Sequence, residues 1–142
     1  MKTILLFIVL FTTPLLFAQT TAIPDSNFEQ ALIDLGHDDI LDGQVLTTNV
    51  ENITSIDVSQ NYIADLSGIE AFLSIEILNC SDNWISSLDL SQNAALNTLN
   101  CSWNNLTSID LTNNPLINSL SCHINNLSSL DVSSNIALIF KL

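Results

Sequence analysis

Cys80, Cys101 and Cys122 recur every 21 residues, and Asp89, Asp110 and Asp131 recur at the same interval behind them. Thiols can act as nucleophiles, pair into disulfides or ligate zinc, and a row of carboxylates can hold a cation or serve as acid–base pairs. The fixed interval decides among these. Each Cys stands where Leu90, Leu111 and Val132 stand in the second half of its own unit, which gives it the role of a small buried hydrophobe. Equivalent Cα atoms on stacked coils lie about 4.8 Å apart, within disulfide reach, but their side-chain vectors run parallel in a packed column. Free buried thiols are therefore expected. Zinc is disfavoured, because the cysteines are not in close pairs and His123, beside Cys122, has no counterpart at Ser81 or Ser102.

The Asp column points outward on the same pattern, and its like charges repel. A solvated row is the expectation, with calcium or a basic partner as the alternative occupant. A glycosidase needs two carboxylates about 5–9.5 Å apart across a substrate, in surroundings that separate their pKa values. A repeated column offers neither cleft nor asymmetry, and His37 and His123 fall in different regions without a nucleophile motif. A carbohydrate-active enzyme is the least favoured reading, and no cofactor is expected. Trp84 follows its Asn and Trp103 precedes its own, so they occupy different repeat positions beside a turn. A protein or glycan platform is one reading of them; packing against a lid or turn is the preferred one. The Ser and Thr pairs at 86–87, 107–108 and 128–129 read as solvated turn residues.

These residues must be positioned by stacked coils. Leu78–Thr98, Leu99–Ser119 and Leu120–Phe140 share the frame LxCxxNxLxxLDLxxNxxLxx, preceded by a 22-residue form that starts at Ile53. A period of this length means a repeat solenoid, in which no coil buries its apolar set alone. The L-x-C and L-D-L triplets alternate apolar and polar residues, which predicts short parallel β-strands from both halves of each unit. Two Asn columns, Asn61, Asn83, Asn104, Asn125 and Asn93, Asn114, Asn135, are expected to serve backbone groups freed at the turns, on their own and adjacent coils.

Ahead of the array, residues 19–52 read as an amino-terminal helical cap with a helix at about 26–35. Asp25 or Ser26 can open that helix, Glu29 stands in capping-box position to Ser26, and Gly36 can end it. Phe28, Leu32 and Leu35 give it one apolar face. Residues 1–18 read as a cleaved signal peptide: Lys2, an apolar run from Ile4 to Phe17 broken by Thr12, Thr13 and Pro14, then the small Ala18. That run is short for a span of about 20 apolar residues, and later apolar residues are too often interrupted by Asn, Ser or Asp to span a membrane. The expected location is therefore secreted or cell-surface. The formal charge of −13, with 15 acidic residues and no arginine, argues against nucleic acid and against anionic membrane surfaces. Residues 53–142 form the array, which is expected to be incomplete at its carboxy end because LIFKL breaks the period.

The frame LxxLxCxxNxLxxLDLxxNxx resembles the 21-residue class of bacterial leucine-rich repeats, and the 22-residue first coil resembles internalin repeats. The leader IPDSNFEQALIDLG, with DGQVLT and SIDVSQNYIADLSGIE after it, is similar to exported leucine-rich-repeat proteins of Flavobacterium-like bacteria. The resemblance implies a secreted or surface protein whose repeats bind or adhere. It also implies a carboxy-terminal sorting domain for type IX secretion, which LIFKL does not provide. The expected function is a non-catalytic protein-interaction or adhesion module for a protein or glycan ligand, with Asp89, Asp110, Asp131, Trp84 and Trp103 as its binding candidates. The alternative is a structural fragment of a longer adhesin.

Overall fold

The computed structural model describes residues 18–139. All but Ala18 of the signal-like segment, and Phe140, Lys141 and Leu142 at the other end, lie outside the described residues. Strand β1 (Thr20–Ala22) pairs antiparallel with β2 (Gln44–Leu46), and helix α1 (Ser26–Asp34) lies between them in sequence. A single turn, α2 (Thr47–Val50), leads into the array. There β3 (Ser55–Asp57), β4 (Ile77–Asn79), β5 (Thr98–Asn100) and β6 (Ser119–Ser121) form one parallel sheet in chain order. The register places Ile56, Leu78, Leu99 and Leu120 in one inward row.

Each strand is short for a local reason. The Asn100 side chain accepts from Ser102 N at 3.2 Å and Ser102 Oγ at 2.6 Å, and Trp103 then turns the chain at φ 57. An Asx turn of this kind offers the backbone an alternative to the ladder. The second halves carry the same turn without a ladder, which corrects the expectation of strands there: the L-D-L triplets are not strands. Asp110 Oδ1 takes Thr112 N at 2.9 Å, and the backbone bonds that follow stay within the coil, Asn114 N to Leu111 O and Ile117 N to Asn114 O.

Inside, one apolar cluster runs from Ile23 and Phe28 through Phe72, Leu78 and Leu99 to Ile117. Helix α1 joins it through Phe28, whose ring stacks on Phe72 with centroids 6.3 Å apart. The N-cap is Asp25, which accepts from Asn27 N and Phe28 N at 2.8 and 3.3 Å. The capping box expected of Ser26 and Glu29 does not form. Glu29 is buried and its Oε1 instead accepts from Asp42 N, Gly43 N and Gln44 N, fixing the loop before β2. Gly36 ends the helix at φ 79, with its own N–H on Ile33 O and that of His37 on Leu32 O, a Schellman closure. Leu35 becomes the C-cap and is 45% exposed, so the expected apolar face is Phe28, Ala31 and Leu32 instead.

Gly68 opens a 3₁₀ turn (Ile69–Ala71) at φ 105. A Cβ there would stand 2.8 Å from Ala22 O and strike Ile23 Cδ1, so glycine is what lets the first coil close on β1. Among the described residues no helix is long and apolar enough to cross a membrane.

Candidate functional site

The four surface and interior columns proposed from sequence can now be placed. Cys80 and Cys101 are buried and free, directly after β4 and β5. Cys122 is free as well but only half-buried, which corrects the expectation of three equivalent buried thiols. Burial pushes the Cys101 thiol up to about 12, with Cys122 adding to it, and raises Cys80 and Cys122 too. Neutral thiols are poor nucleophiles, so this column is packing rather than chemistry.

Both Asn columns sit where the repeat places them. Asn83, Asn93, Asn104, Asn114 and Asn135 are buried, whereas Asn61 and Asn125 are half-buried. Asn104 Nδ2 donates to Cys80 O at 2.9 Å and Cys101 O at 3.2 Å, while its Oδ1 accepts from Ile85 N at 2.9 Å. Asn83 does the same for Val58 O, Cys80 O, Asn61 N and Ile63 N. Asn114 Nδ2 donates to Leu90 O and Asn93 O at 3.0 and 2.9 Å. These side chains are committed to the scaffold and are unavailable to a ligand.

Asp89, Asp110 and Asp131 are fully exposed and stand one per coil. Backbone N–H donation from Ser91, Thr112 and Ser133 lowers their pKa values, and the hydroxyls of those residues add to it. The neighbouring carboxylates oppose the shift, Asp110 acting on Asp89 and Asp131 on Asp110. Each carboxylate is thus satisfied by its own turn. A shallow groove passes between Ser87, Asp89, Ser108 and Asp110 and continues to Asp65 and Glu70. Asp57 falls in the other row, in register with Asn79, Asn100 and Ser121. Burial raises its pKa, but Ser59 Oγ, Ser59 N and Asn79 Nδ2 outweigh that and the net direction is down. Asp38 is pushed up, by burial first and by Glu29, Asp39 and Asp42 around it. Among the described residues no three His, Cys, Asp or Glu side chains are grouped as a metal would require.

Trp84 and Trp103 do not pack under a lid or into a turn: they are 58% and 54% exposed. Tyr62, which sequence reasoning passed over, tilts against Trp84 with ring centroids 5.3 Å apart. The signal was present in the repeat, since Tyr62 follows Asn61 as Trp84 follows Asn83.

The inward strand row, the free cysteines one per coil and the Asn columns together define a stacked leucine-rich coil, and comparison with solved structures agrees. The functional domain of InlJ from Listeria monocytogenes, which includes a cysteine ladder, superposes with a TM-score of 0.76 at 34% identity over 85% of this chain. The chain has an internalin-like leucine-rich-repeat fold. A second Listeria monocytogenes internalin, InlF, matches 82% of it with a TM-score of 0.73 at 25% identity. A leucine-rich-repeat protein of Leptospira interrogans shares the fold over 63% of the chain, with a TM-score of 0.61 at 20% identity. This internalin-like chain spans 28% and 35% of the two Listeria chains and 25% of the Leptospira one. No protein-family model and no curated protein sequence matches it.

Proposed function

We propose that this chain is an exported, non-catalytic interaction module that presents its parallel sheet and neighbouring turns to a protein ligand. One observation carries the reading. The inward sheet positions are nearly uniform, Ile56, Leu78, Leu99 and Leu120, whereas the outward ones change from coil to coil. Ser55, Ile77, Thr98 and Ser119 form one outward row and Asp57, Asn79, Asn100 and Ser121 the other. A frame that repeats inside and varies outside leaves the specific information on its surface. The likeness to two Listeria internalins supports the same reading. In it, the 19–52 unit serves as the amino-terminal lid, with Phe28 and Leu32 closing the first coil. The Asp89–Asp110–Asp131 column adds acidic selectivity, calcium is not required, and a glycan is the alternative ligand.

The test is saturable binding of the exported chain to a panel of extracellular proteins, repeated with Ile77→Arg and Ser119→Arg together. Both side chains are exposed on the outward row and hold no turn, so melting should hold while affinity falls at least tenfold. Absence of any saturable ligand, or loss of binding only through unfolding, would overturn the proposal. Binding confined to oligosaccharides would transfer the reading to a glycan module.

A further inference from the structure

Beside the sheet, the turns that follow the strands place Tyr62, Trp103 and Ile124 in a backbone region that disfavours bulky side chains. The residue before each column Asn is left-handed: Gln60 at φ 60, Asp82 at 55, Trp103 at 57 and Ile124 at 53, with Tyr62 at 59 in the first coil. Glycine or asparagine fits such a position without strain, while a β-branched residue such as Ile124 is an outlier there. None of these side chains repays the strain by entering the core. Tyr62 is 64% and Ile124 52% exposed, alongside Trp84 and Trp103. Backbone strain and apolar exposure retained together, without a packing return, mark a surface selected for contact.

The turns lie side by side. Trp103 N donates to His123 O, and Asn83 N donates to Trp103 O, so Asp82, Trp103 and Ile124 form one row across three coils. Tyr62 and Trp84 form a second row on the other side of the Asn column. Gln60 Nε2 donates to Asp82 Oδ2 at 3.1 Å, which steadies that carboxylate beside the aromatic faces. The described residues contain no Lys or Arg, because Lys2 and Lys141 are the only Lys or Arg residues of the sequence and both lie outside them. No cation of the described fold can therefore occupy the rings, and the net charge of −13 draws cations from outside.

We propose that this ridge, Tyr62, Trp84, Trp103 and Ile124 with Asp82, is a docking surface for an arginine- or lysine-bearing segment of a protein partner. The cation lies on a ring face within about 6 Å of its centroid and its N–H groups reach Asp82, while the aliphatic stem covers Ile124. The proposal rests on the interaction reading above and adds the face and the chemistry of its partner.

The test titrates the whole exported chain with a synthetic Arg-Gly-Arg-Gly-Arg peptide, a Glu-Gly peptide of equal length, and chitohexaose as a neutral glycan. Tryptophan fluorescence and backbone NMR shifts are read. The arginine peptide should quench emission and shift the 60–62, 82–84 and 103–105 amides, and the other two probes should not. Trp84→Ala and Trp103→Ala should each weaken binding about fivefold, with melting unchanged, while Asp39→Asn in the exposed loop before β2 should leave it intact. Equal weakening by Asp39→Asn and Trp84→Ala, shifts spread over all acidic residues, or a response to chitohexaose alone would overturn the proposal. If a protein ligand binds and the tryptophan variants retain full affinity, this proposal falls and the interaction reading stands. If no protein binds but the peptide maps to the ridge, the reverse holds.

Discussion

The two asparagine columns cross the same coils at the same spacing and use different halves of the amide. On the sheet side, Asn104 bridges with both ends, donating to the carbonyls of Cys80 and Cys101 and accepting from Ile85 N. On the opposite side, Asn114 only donates, and the buried Oδ1 atoms of Asn93, Asn114 and Asn135 have no partner. The reason lies in what each side already has. Parallel strands join the coils on the sheet side, so the first column has only to finish a turn and can meet N–H and C=O groups together. The second halves have no ladder, and Asn114 Nδ2 on Leu90 O and Asn93 O joins one coil to the last there, between the backbone bonds Asn105 N to Ile85 O and Asn118 N to Asn97 O. A buried carbonyl left unpaired offsets part of that gain.

The comparison can be broken by truncation. Asn104→Ala strands Ile85 N in the interior, while Cys80 O and Cys101 O keep Asn83 Nδ2 and Asn125 Nδ2, so a loss of about 2–3 kcal/mol is expected. Asn114→Ala strands no backbone group, because Leu90 O keeps Asn93 N and Asn93 O keeps Leu96 N, and it removes an unpartnered oxygen, so about 1 kcal/mol is expected. Urea unfolding at pH 7 checks both. Equal losses, or a larger loss at Asn114, would show that the two columns are energetically the same and that the missing acceptor role costs nothing.

How far the sequence reveals this follows from the same contrast. The 21-residue period and the alternation around Leu78, Leu99 and Leu120 make the inward row, the Cys positions and both Asn columns legible, because inward identity is what a stack must repeat. The second-half strands were misread because Leu-Asp-Leu alternates equally well, and only the Asp110–Thr112 turn shows that the backbone bonds elsewhere. Strands β1 and β2 carry no such pattern in three residues each, and Glu29 satisfies a distant loop that no local spacing announces. The exposed ridge was half legible. Trp84 and Trp103 stood out by type, while their shared surface with Tyr62 needed the left-handed turns that no motif encodes.

At the amino end a carboxylate performs the task that Asn Oδ1 performs farther along. Asp25 caps α1 and also accepts from Ala64 N and Asp65 N at 2.7 and 2.9 Å, joining helix to first coil as Asn104 joins coil to coil. Asp25→Ala should cost about 1 kcal/mol at pH 7, the usual scale for a helix N-cap. Burial raises the Asp25 pKa, but four backbone donors outweigh it and the net direction is down. A carboxylate lowered on folding contributes stability that is fully present above its unfolded value, about 3.9, and lost as pH falls through its folded one. The gap between wild type and Asp25→Ala should therefore close below about pH 4. A gap independent of pH would mean that the charge of Asp25 does not take part, and that its role is purely that of a neutral acceptor, as in the Asn columns.

The smallest effect is expected on the outward column, which shares the period of the Asn columns but none of their burial. Asp110 draws its hydrogen bonds from Thr112 N and Oγ1 within its own turn, and backbone donation from Thr112 is the first cause of its lowered pKa. Asparagine can accept the same two bonds, so Asp110→Asn preserves the turn and removes one repulsive neighbour of Asp89. Its melting temperature at neutral pH should match wild type within about a degree, as for most exposed substitutions. Excess EDTA should leave both curves in place, and millimolar calcium should act no differently from sodium chloride of equal ionic strength. A rise specific to calcium that Asp110→Asn abolishes would turn the column from solvated decoration into a cation site. It would also make the outward row, like the two inward ones, a link between coils.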